Sequence, residues 1–302
     1  MKRAFEFIPA LLAWGTFIGL AILSWQMPIG AALFIIAFDI YWLLKTIYLS
    51  LHLRSSFKKM RANMKIDWLE QLKSVSSTNY KLQTTNWSDI YHLIILPIYK
   101  EEYRIVRESV LSLCNANFPK EKLILVLATE ERAPESKKVA EKIEKEFGAA
   151  FFKCLTTIHP QNVPGEIPGK GSNETWASRG AKEKIIDPVG IPYENILVSV
   201  FDSDTQVFPE YFGILTYTFL TAPHPHRSSY QPIPLFTNNI FVAPALARVI
   251  SFSSSFWHMI QQSRPERLTT FSSHSMPFKA LVEIGFWNTN VVSEDSQIFW
   301  QC

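Results

Sequence analysis

The chain contains little cysteine. Its 302 residues include three cysteines, Cys114, Cys154 and Cys302, with no Cys-x-x-Cys pair and no mixed Cys/His ligand spacing. A small, odd number without such spacing excludes a disulfide scaffold and a structural zinc site. Free cysteines are typical of proteins in a reducing compartment.

The chain also has little excess charge. Thirty basic residues against 27 acidic ones leave a formal net charge of +3. No stripe of basic residues interleaved with aromatics is present, and together these features exclude a nucleic-acid partner. The Gly-x-x-x-x-Gly-Lys-Ser/Thr pattern of a phosphate-binding P-loop is absent as well.

Apolar residues are plentiful, and they are concentrated near the N-terminus. Residues 7–25 and 29–53 form two apolar runs separated by a short break at residues 25–28. Each run is about 20 residues long, which is enough for a helix to cross a hydrocarbon core of ~30 Å. We therefore expect residues 1–53 to form a transmembrane helical hairpin. A cleaved signal peptide and a buried hairpin of a soluble protein are the alternatives.

Positive charge flanks the expected hairpin on both sides. Lys2 and Arg3 precede it, and a basic cluster at residues 54–65 follows it. By the positive-inside rule, both ends and the rest of the chain lie in the cytoplasm. Residues 54–90 are expected to form a helix at the membrane interface, with Trp68, Leu69 and Leu72 as its apolar residues, followed by a Ser/Thr/Asn-rich linker.

The order of predicted strands and helices in residues 91–302 is typical of an α/β domain. Apolar runs at residues 92–96, 123–127, 150–156 and 196–201 predict strands, and amphipathic stretches between them predict helices. This alternation favours a mostly parallel sheet with helices on both faces. Residues 240–242 are expected to form a strand of a different kind. An amphipathic helix over residues 246–262 is expected either to lie on the membrane or to pack as an ordinary core helix.

Two aspartates follow the fourth predicted strand. Asp202 and Asp204 come directly after residues 196–201. Two carboxylates at the end of a buried strand are suited to hold a hard divalent cation on a diphosphate. An Asp-x-Asp pair alone is equally compatible with an acidic turn, but its place at a strand end favours the metal site.

Glutamates follow the first two predicted strands. Glu101 comes after a proline-containing turn, and Glu130 and Glu131 end the second strand. Their carboxylates are suited to accept hydrogen bonds from a nucleobase or a ribose. For Glu101 the alternative is an acidic residue that is stabilised by the N-terminus of a helix.

Two further candidates lie at predicted helix starts. Residues 169–173 enter a helix, and Lys170 and the free N–H groups there are suited to bind phosphate, while Ser172 or Asn173 is also suited to cap the helix. Asp295 follows Glu294 much later in the chain. A carboxylate at this position is suited to take a proton from an attacking hydroxyl, although the pair alone is only a helix-start signal.

The order of these motifs resembles that of processive, membrane-bound family-2 glycosyltransferases, the group that contains cellulose, hyaluronan and chitin synthases. The resemblance covers residues 92–299. The family's first turn is similar to residues 97–101, with Lys100 in place of Asn, and its uracil-contacting Asp pair is replaced by Glu130 and Glu131. Its Lys-Gly/Asn segment looks like residues 170–173.

The remaining family motifs follow in the same order. The metal-binding Asp-x-Asp motif looks like Asp202 and Asp204, and the Thr-Glu-Asp motif with its catalytic base is similar to residues 293–295. A Gln-x-x-Arg-Trp motif and further membrane helices follow the base in processive members. This chain ends at Cys302 without them, so we expect a C-terminally truncated member.

The resemblance implies a GT-A fold, which is a Rossmann-like, mostly parallel α/β sheet. It implies an inverting transfer from a nucleotide-diphosphate sugar, a UDP-sugar, to an acceptor hydroxyl, with Mg²⁺ or Mn²⁺ on Asp202 and Asp204. Asp295 would be the catalytic base. The implied donor-binding residues are Glu101, Glu130, Glu131, Lys170, Asn173 and Asp202.

Two other functions stay open at this point. A non-catalytic, membrane-anchored module that binds nucleotide sugars, or a truncated remnant, would retain the same motifs. A sugar-nucleotide nucleotidyltransferase has a similar sheet, but such enzymes carry a Gly-rich, Arg-bearing loop after the first strand. Residues 97–102 contain neither glycine nor arginine.

Overall fold

The computed structural model describes residues 2–74, 86–238 and 240–301. The predicted Ser/Thr/Asn-rich linker therefore lies almost wholly outside the described residues. The chain divides into two compact units, Met1–Phe57 and Lys58–Cys302.

The first unit consists of one apolar helix and the apolar part of a second, which continues past the end of the unit at Phe57. Helix α1 (Lys2–Gln26) and helix α2 (Pro28–Asn63) meet at Met27, so the break lies where the sequence predicts it. Proline is suited to the first turn of a helix because the N–H that it lacks would have no partner there.

Both helices are long and apolar enough to cross a membrane. Their apolar side chains are exposed; Phe17 is 70% exposed and Trp25 is 89% exposed. A hairpin of a soluble protein buries one face of each helix against a core. The apolar side chains of α1 and α2 are not buried against a core in this way within the described residues.

Helix α3 (Trp68–Ser74) corrects one expectation. We expected its apolar residues at a membrane interface, but Trp68 and Leu72 are buried inside the second unit, and Leu69 is half-buried. The Trp68 backbone N–H donates to Glu210 Oε2 at 2.8 Å. A Cβ on Gly213 would lie 2.8 Å from the Trp68 Cβ, so only glycine permits this approach. The apolar face of α3 is therefore used for packing.

A single mixed sheet organises the second unit. Its order is β3-β2-β1-β4-β5, in which β1 to β4 are parallel and β5 pairs with β4 in the antiparallel sense. This confirms the expected mostly parallel α/β fold. The strands are β1 (Tyr91–Pro97), β2 (Leu123–Glu130), β3 (Lys153–His159), β4 (Ile196–Val200) and β5 (Ser275–Pro277).

Helices cover both faces of the sheet. Alternate residues of β1 enter different cores: Ile94 and Leu96 lie in one, Leu93 and Ile95 in the other. Successive side chains of a strand point to opposite faces, so a strand with two covered faces is a continuous apolar run. The helical segments are α4 (Tyr103–Cys114), α5 (Pro134–Phe147), α6 (Lys170–Ala181) with a π-helical continuation (Lys182–Ile186), α7 (Asp187–Val189), α8 (Tyr211–Thr221), α9 (Ala245–Gln261), α10 (Phe278–Glu283) and α11 (Glu294–Gln301).

Some boundaries differ from those expected. Strand β3 begins three residues later than predicted, and α6 begins at Lys170, inside the segment that was expected to lead into this helix. Residues 240–242 form a turn and not a strand. In α9, Met259 is buried whereas Leu246 and Val249 are 73% and 63% exposed, so its N-terminal half is not an ordinary core helix.

Candidate active site

The parallel strands place the motifs at one edge of the sheet. The strand order reverses between β1 and β4, and ligands of open α/β sheets bind outside the carboxyl ends of strands at such a point. Asp202 follows β4 there, and the Phe201 N–H still donates to Ile95 O at 3.1 Å. Glu101 follows β1 on the adjacent strand.

Lys170, Asp202 and Asp295 meet at this edge. The Lys170 Nζ lies 2.9 Å from Asp202 Oδ1 and 3.2 Å from Asp295 Oδ2. Lys170 is the first residue of α6, and Asp295 is in the first turn of α11. The structure therefore brings together three residues that sequence reasoning selected from three separate segments.

A fourth ionisable group, Glu174, was not predicted. It lies one helical turn after Lys170, is fully buried, and has an oxygen 3.6 Å from the Lys170 Nζ. Burial raises the pKa of Glu174 well above its usual range, and the nearby Lys170 charge only partly opposes this. Burial thus favours the protonated form of the Glu174 carboxyl. The spacing of four from Lys170 was the available sequence signal.

The lysine and its neighbours determine each other's charge states. Desolvation alone would lower the pKa of Lys170, but the charges of Glu174, Asp295 and Asp202 outweigh it and raise that pKa. Desolvation alone would raise the pKa of Asp202, but the Lys170 charge and a hydrogen bond from Ser272 outweigh it and lower that pKa. Asp202 is therefore an ionised carboxylate beside a protonated amine at neutral pH.

Residues 270–275 also contribute to the site, and the sequence did not indicate them. The Ser272 hydroxyl donates to Asp202 Oδ2. The His274 ring is fully buried, and its Nδ1 lies 3.5 Å from Asp295 Oδ1. The Thr270 hydroxyl donates to the Asp295 backbone oxygen at 2.5 Å. No motif marks this segment in the sequence, because its role arises from the pairing of β5 with β4.

Gly171 permits close packing of α6 against α11. A Cβ at this position would lie 2.9 Å from both Cβ and Cγ of Glu294, which is closer than two carbon atoms approach without displacement. Glu294 is buried, and burial is the main cause that raises its pKa. The glycine after Lys170 therefore lets the start of α11, including Asp295, come close to the start of α6.

Asp204 lies at the open side of the site. It is exposed, and its backbone oxygen accepts a hydrogen bond from Asn238 Nδ2 at 2.7 Å. Partial desolvation and then the charges of Asp202 and Glu101 raise the pKa of Asp204. The three carboxyl groups thus share a region of negative potential, which favours a bound cation.

The predicted nucleoside-binding glutamates are engaged in local contacts. Glu101 Oε2 accepts hydrogen bonds from the backbone N–H groups of Tyr99 at 2.7 Å and Lys100 at 3.1 Å. Glu131 Oε2 accepts one from the Gln161 N–H at 2.9 Å, which ties the end of β2 to the loop after β3. One oxygen of each carboxylate therefore holds a turn.

Glu130 is paired with an arginine that sequence reasoning did not select. Glu130 is buried, and Arg132 donates to both of its oxygens, from Nε to Oε2 and from Nη2 to Oε1. The Arg132 guanidinium also lies 4.6 Å from the centroid of the Tyr99 ring. A carboxylate acceptor and a guanidinium donor are thus presented side by side at the end of β2.

Asn173 connects α6 to the sheet. Its Nδ2 donates to Ala128 O at 2.9 Å, and its Oδ1 is buried and has no hydrogen-bond partner in the described part of the chain. The amide group therefore anchors the helix that carries Lys170. Sequence reasoning selected Asn173 for donor binding; the structure gives it this anchoring contact.

Two groups of carboxylates are candidate ligands for a divalent metal. Oxygens of Glu174, Glu294 and Asp295 lie within 4.8 Å of one another, but this group is enclosed. Burial disfavours the ionised form of Glu174, and metal ligands must be deprotonated, so Glu174 is a poor ligand. Asp202 and Asp204 fit better because Asp202 is ionised and Asp204 is open to solvent, which leaves room for the waters and phosphate oxygens that Mg²⁺ and Mn²⁺ need.

In comparisons with known proteins, this chain is similar to solved structures at low sequence identity. No protein-family model matches the sequence, and no curated protein matches it. The mannosyltransferase PcManGT from Pyrobaculum calidifontis, in complex with GDP-Man and Mn²⁺, is similar at 13% identity and a TM-score of 0.41, over 82% of this chain and 61% of that one. S. aureus TarS 1–349 in complex with UDP-GlcNAc is similar at 13% identity and a TM-score of 0.40, over 70% and 53%. The chain therefore spans less than two thirds of the length of either structure.

Proposed function

We propose that this protein is an inverting glycosyltransferase that moves a sugar from a nucleotide-diphosphate sugar to an acceptor hydroxyl at the cytoplasmic face of a membrane. The observation that carries the proposal is the position of the Lys170 ammonium between Asp202 and Asp295, at the edge of the sheet where the strand order reverses. A cation-binding carboxylate, a phosphate-binding cation and a candidate base are thereby within reach of one ligand. The order of the sequence motifs supports the same function.

The donor diphosphate would bind beside Asp202, Asp204 and Lys170. The two aspartates would hold Mg²⁺ or Mn²⁺, which neutralises charge on the diphosphate as it leaves. Lys170 adds a fixed positive charge, and the N–H groups at the start of α6 point toward the same edge. Lys170 would then move from Asp202 to a phosphate oxygen when the metal takes Asp202.

Asp295 would act as the base. The acceptor hydroxyl oxygen forms a bond to the anomeric carbon while the bond from that carbon to the diphosphate oxygen breaks. The hydroxyl proton passes to an Asp295 carboxylate oxygen, and the nucleoside diphosphate leaves. One displacement of this kind inverts the configuration at the anomeric carbon.

The nucleoside would lie over the ends of β1 and β2. The Glu130–Arg132 pair offers an acceptor and a donor side by side, which complements the N3–H and a neighbouring carbonyl of uracil. Glu101 and Glu131 keep the surrounding turns in place. A UDP-sugar is therefore the donor that we propose.

Helices α1 and α2 would anchor the chain in the bilayer. Their length, their apolar composition and the exposure of their side chains support this placement. The basic residues on both sides of the pair support a cytoplasmic position for the α/β domain.

The test is donor binding by the purified full chain. Calorimetry with a panel of UDP- and GDP-sugars, with Mn²⁺ or with EDTA, should show metal-dependent binding of a UDP-sugar and its slow hydrolysis or transfer. Asp204→Ala should weaken metal-dependent donor binding by at least about tenfold, which equals ~1.4 kcal/mol. Asp187→Ala is the matched control, because Asp187 pairs with Lys182 outside the site. Metal-independent binding, or unchanged affinity in Asp204→Ala, would refute the proposal, and binding without turnover would favour the non-catalytic module.

A further inference from the structure

The carboxylates of Asp202 and Asp295 each have neighbours on two sides, although Asp295 Oδ1 accepts no hydrogen bond within the described residues. Lys170 contacts one oxygen of each, Asp202 Oδ1 and Asp295 Oδ2. The other oxygens face one short segment: Ser272 donates to Asp202 Oδ2, and His274 Nδ1 lies 3.5 Å from Asp295 Oδ1. Two residues separated by one position in the chain thus face the two carboxylates that the proposed mechanism requires.

The His274 ring is fixed in place by contacts of its own. Its Nδ1 lies 3.2 Å from Phe271 O, and a carbonyl oxygen only accepts, so Nδ1 carries the proton. The ring packs edge-on against Trp287, with 6.2 Å between ring centroids. Its Nε2 is buried and makes no hydrogen bond within the described residues. The one polar hydrogen of the neutral ring, on Nδ1, therefore donates to Phe271 O, and Nδ1 lies on the side of the ring that faces Asp295.

The backbone between the two residues has an uncommon conformation. Ser273 has a φ of 64°, in the left-handed region that non-glycine residues adopt infrequently. Its hydroxyl lies 3.1 Å from that of Thr205, just after Asp204. The His274 backbone oxygen accepts from the Val200 N–H at 3.0 Å, which ties the segment to the end of β4. An uncommon conformation held by such contacts is found where the structure around it determines side-chain positions.

We propose that His274 is a positioning residue for Asp295 and that Ser272 is its counterpart for Asp202. The segment of residues 270–275 would fix the orientation and separation of the two carboxylates, while Lys170 between them leaves to bind phosphate. When Lys170 moves, Ser272 still donates to Asp202 Oδ2, and the fixed His274 ring still lies beside Asp295 Oδ1. Correct orientation of a base matters because a misplacement of 1 Å can lower a rate by about a hundredfold. This inference rests on the proposed function.

Three substitutions of His274 separate positioning from simple packing. Asparagine places its amide nitrogen close to the position of Nδ1, glutamine places it close to Nε2, and leucine fills the space without a donor. The positioning role predicts that His274→Leu and His274→Gln lower kcat by about tenfold with donor KM and Mn²⁺ affinity unchanged, the range seen for groups that orient a ligand or base. His274→Asn should stay within about threefold of wild type. A packing role alone would give no difference between the asparagine and glutamine variants.

Ser272→Ala and His226→Leu complete the experiment. Ser272→Ala should weaken Mn²⁺-dependent donor binding severalfold and leave kcat at saturating donor nearly unchanged, since Ser272 contacts Asp202 and not Asp295. His226 is half-buried, packs against Phe219, and lies outside the site, so His226→Leu should keep full kcat. Thermal unfolding is measured for each variant. If His274→Leu does not fold, the difference in kcat between His274→Asn and His274→Gln tests the positioning role.

The possible failures are distinct. If the wild-type chain binds no nucleotide sugar with Mn²⁺, the proposed function fails. If the wild type turns over its donor and His274→Gln matches His274→Asn or His226→Leu in kcat, only the positioning role of His274 is overturned.

Discussion

The Lys170 Nζ lies 2.9 Å from Asp202 Oδ1 and 3.2 Å from Asp295 Oδ2 and so joins the end of β4 to the start of α11. The same ammonium is 3.6 Å from the buried Glu174. This ammonium contacts a carboxylate oxygen of Asp202 that a divalent metal would also use. The amine and the metal are therefore expected to compete for Asp202.

Lys170→Met tests this competition. Removal of the ammonium frees Asp202 Oδ1 and lowers the local positive potential, so Mn²⁺ alone should bind severalfold more tightly than to wild type. Donor binding with saturating Mn²⁺ should weaken by about tenfold, because the diphosphate loses a charged partner. Calorimetric titrations of Mn²⁺ with and without donor measure both effects. Weaker binding of Mn²⁺ alone would show that Lys170 does not compete with the metal.

Glu174→Gln tests the protonation state of the buried carboxyl. The folded-state pKa is raised, so wild-type stability from this group is full at pH values below the unfolded pKa of about 4.3 and declines as pH rises toward the folded pKa. Glutamine does not titrate and should remove this decline. Relative to wild type, the variant should become progressively more stable as pH rises from 5 to 8.

Chemical unfolding at pH 5, 6.5 and 8 measures this difference for wild type and Glu174→Gln. Glu283→Gln, on α10, serves as a control for the loss of a carboxylate and should show no such trend. If Glu174→Gln instead loses stability relative to wild type as pH rises, Glu174 is ionised and stabilises Lys170.

Trp68→Ala tests the packing of α3. Trp68 is 8% exposed and contacts Gly213 and Tyr217. Truncation of a buried aromatic side chain costs about 3–5 kcal/mol, so the α/β domain should lose about 3 kcal/mol. Trp300 is 77% exposed, and Trp300→Ala should change stability by no more than about 0.5 kcal/mol. Equal effects of the two substitutions would contradict the placement of Trp68 in the core.

The sequence was sufficient for those parts of the fold that depend on local patterns. Strands β1, β2 and β4 are continuous apolar runs because both faces of the sheet are covered, and such runs are visible without a structure. Asp202 could be placed at a strand end for the same reason. Asp295 follows no strand of the sheet, and its role in the same site as Lys170 was expected only from the order of the family motifs.

Other features depend on contacts between distant segments and left no local pattern. Trp68 and Leu72 form an apolar pair that suits a membrane surface or a protein core equally well. They pack in the core because Gly213 has no side chain and allows Trp68 to approach closely. His274 and Ser272 reach the site through the antiparallel pairing of β5 with β4. Pairing partners of short strands are set by tertiary contacts and cannot be read from strand sequences alone.

The central claim is that Asp295 receives the proton of the acceptor hydroxyl, and Asp295→Asn tests it most directly. Asparagine has nearly the same shape but accepts no proton, so the variant should fold, bind the UDP-sugar with Mn²⁺ as wild type does, and lose transfer by ~10²-fold or more. Asp187→Asn, assayed alongside, should retain full transfer. Wild-type transfer rates in Asp295→Asn, with unchanged donor binding, would remove Asp295 from the mechanism and contradict the account.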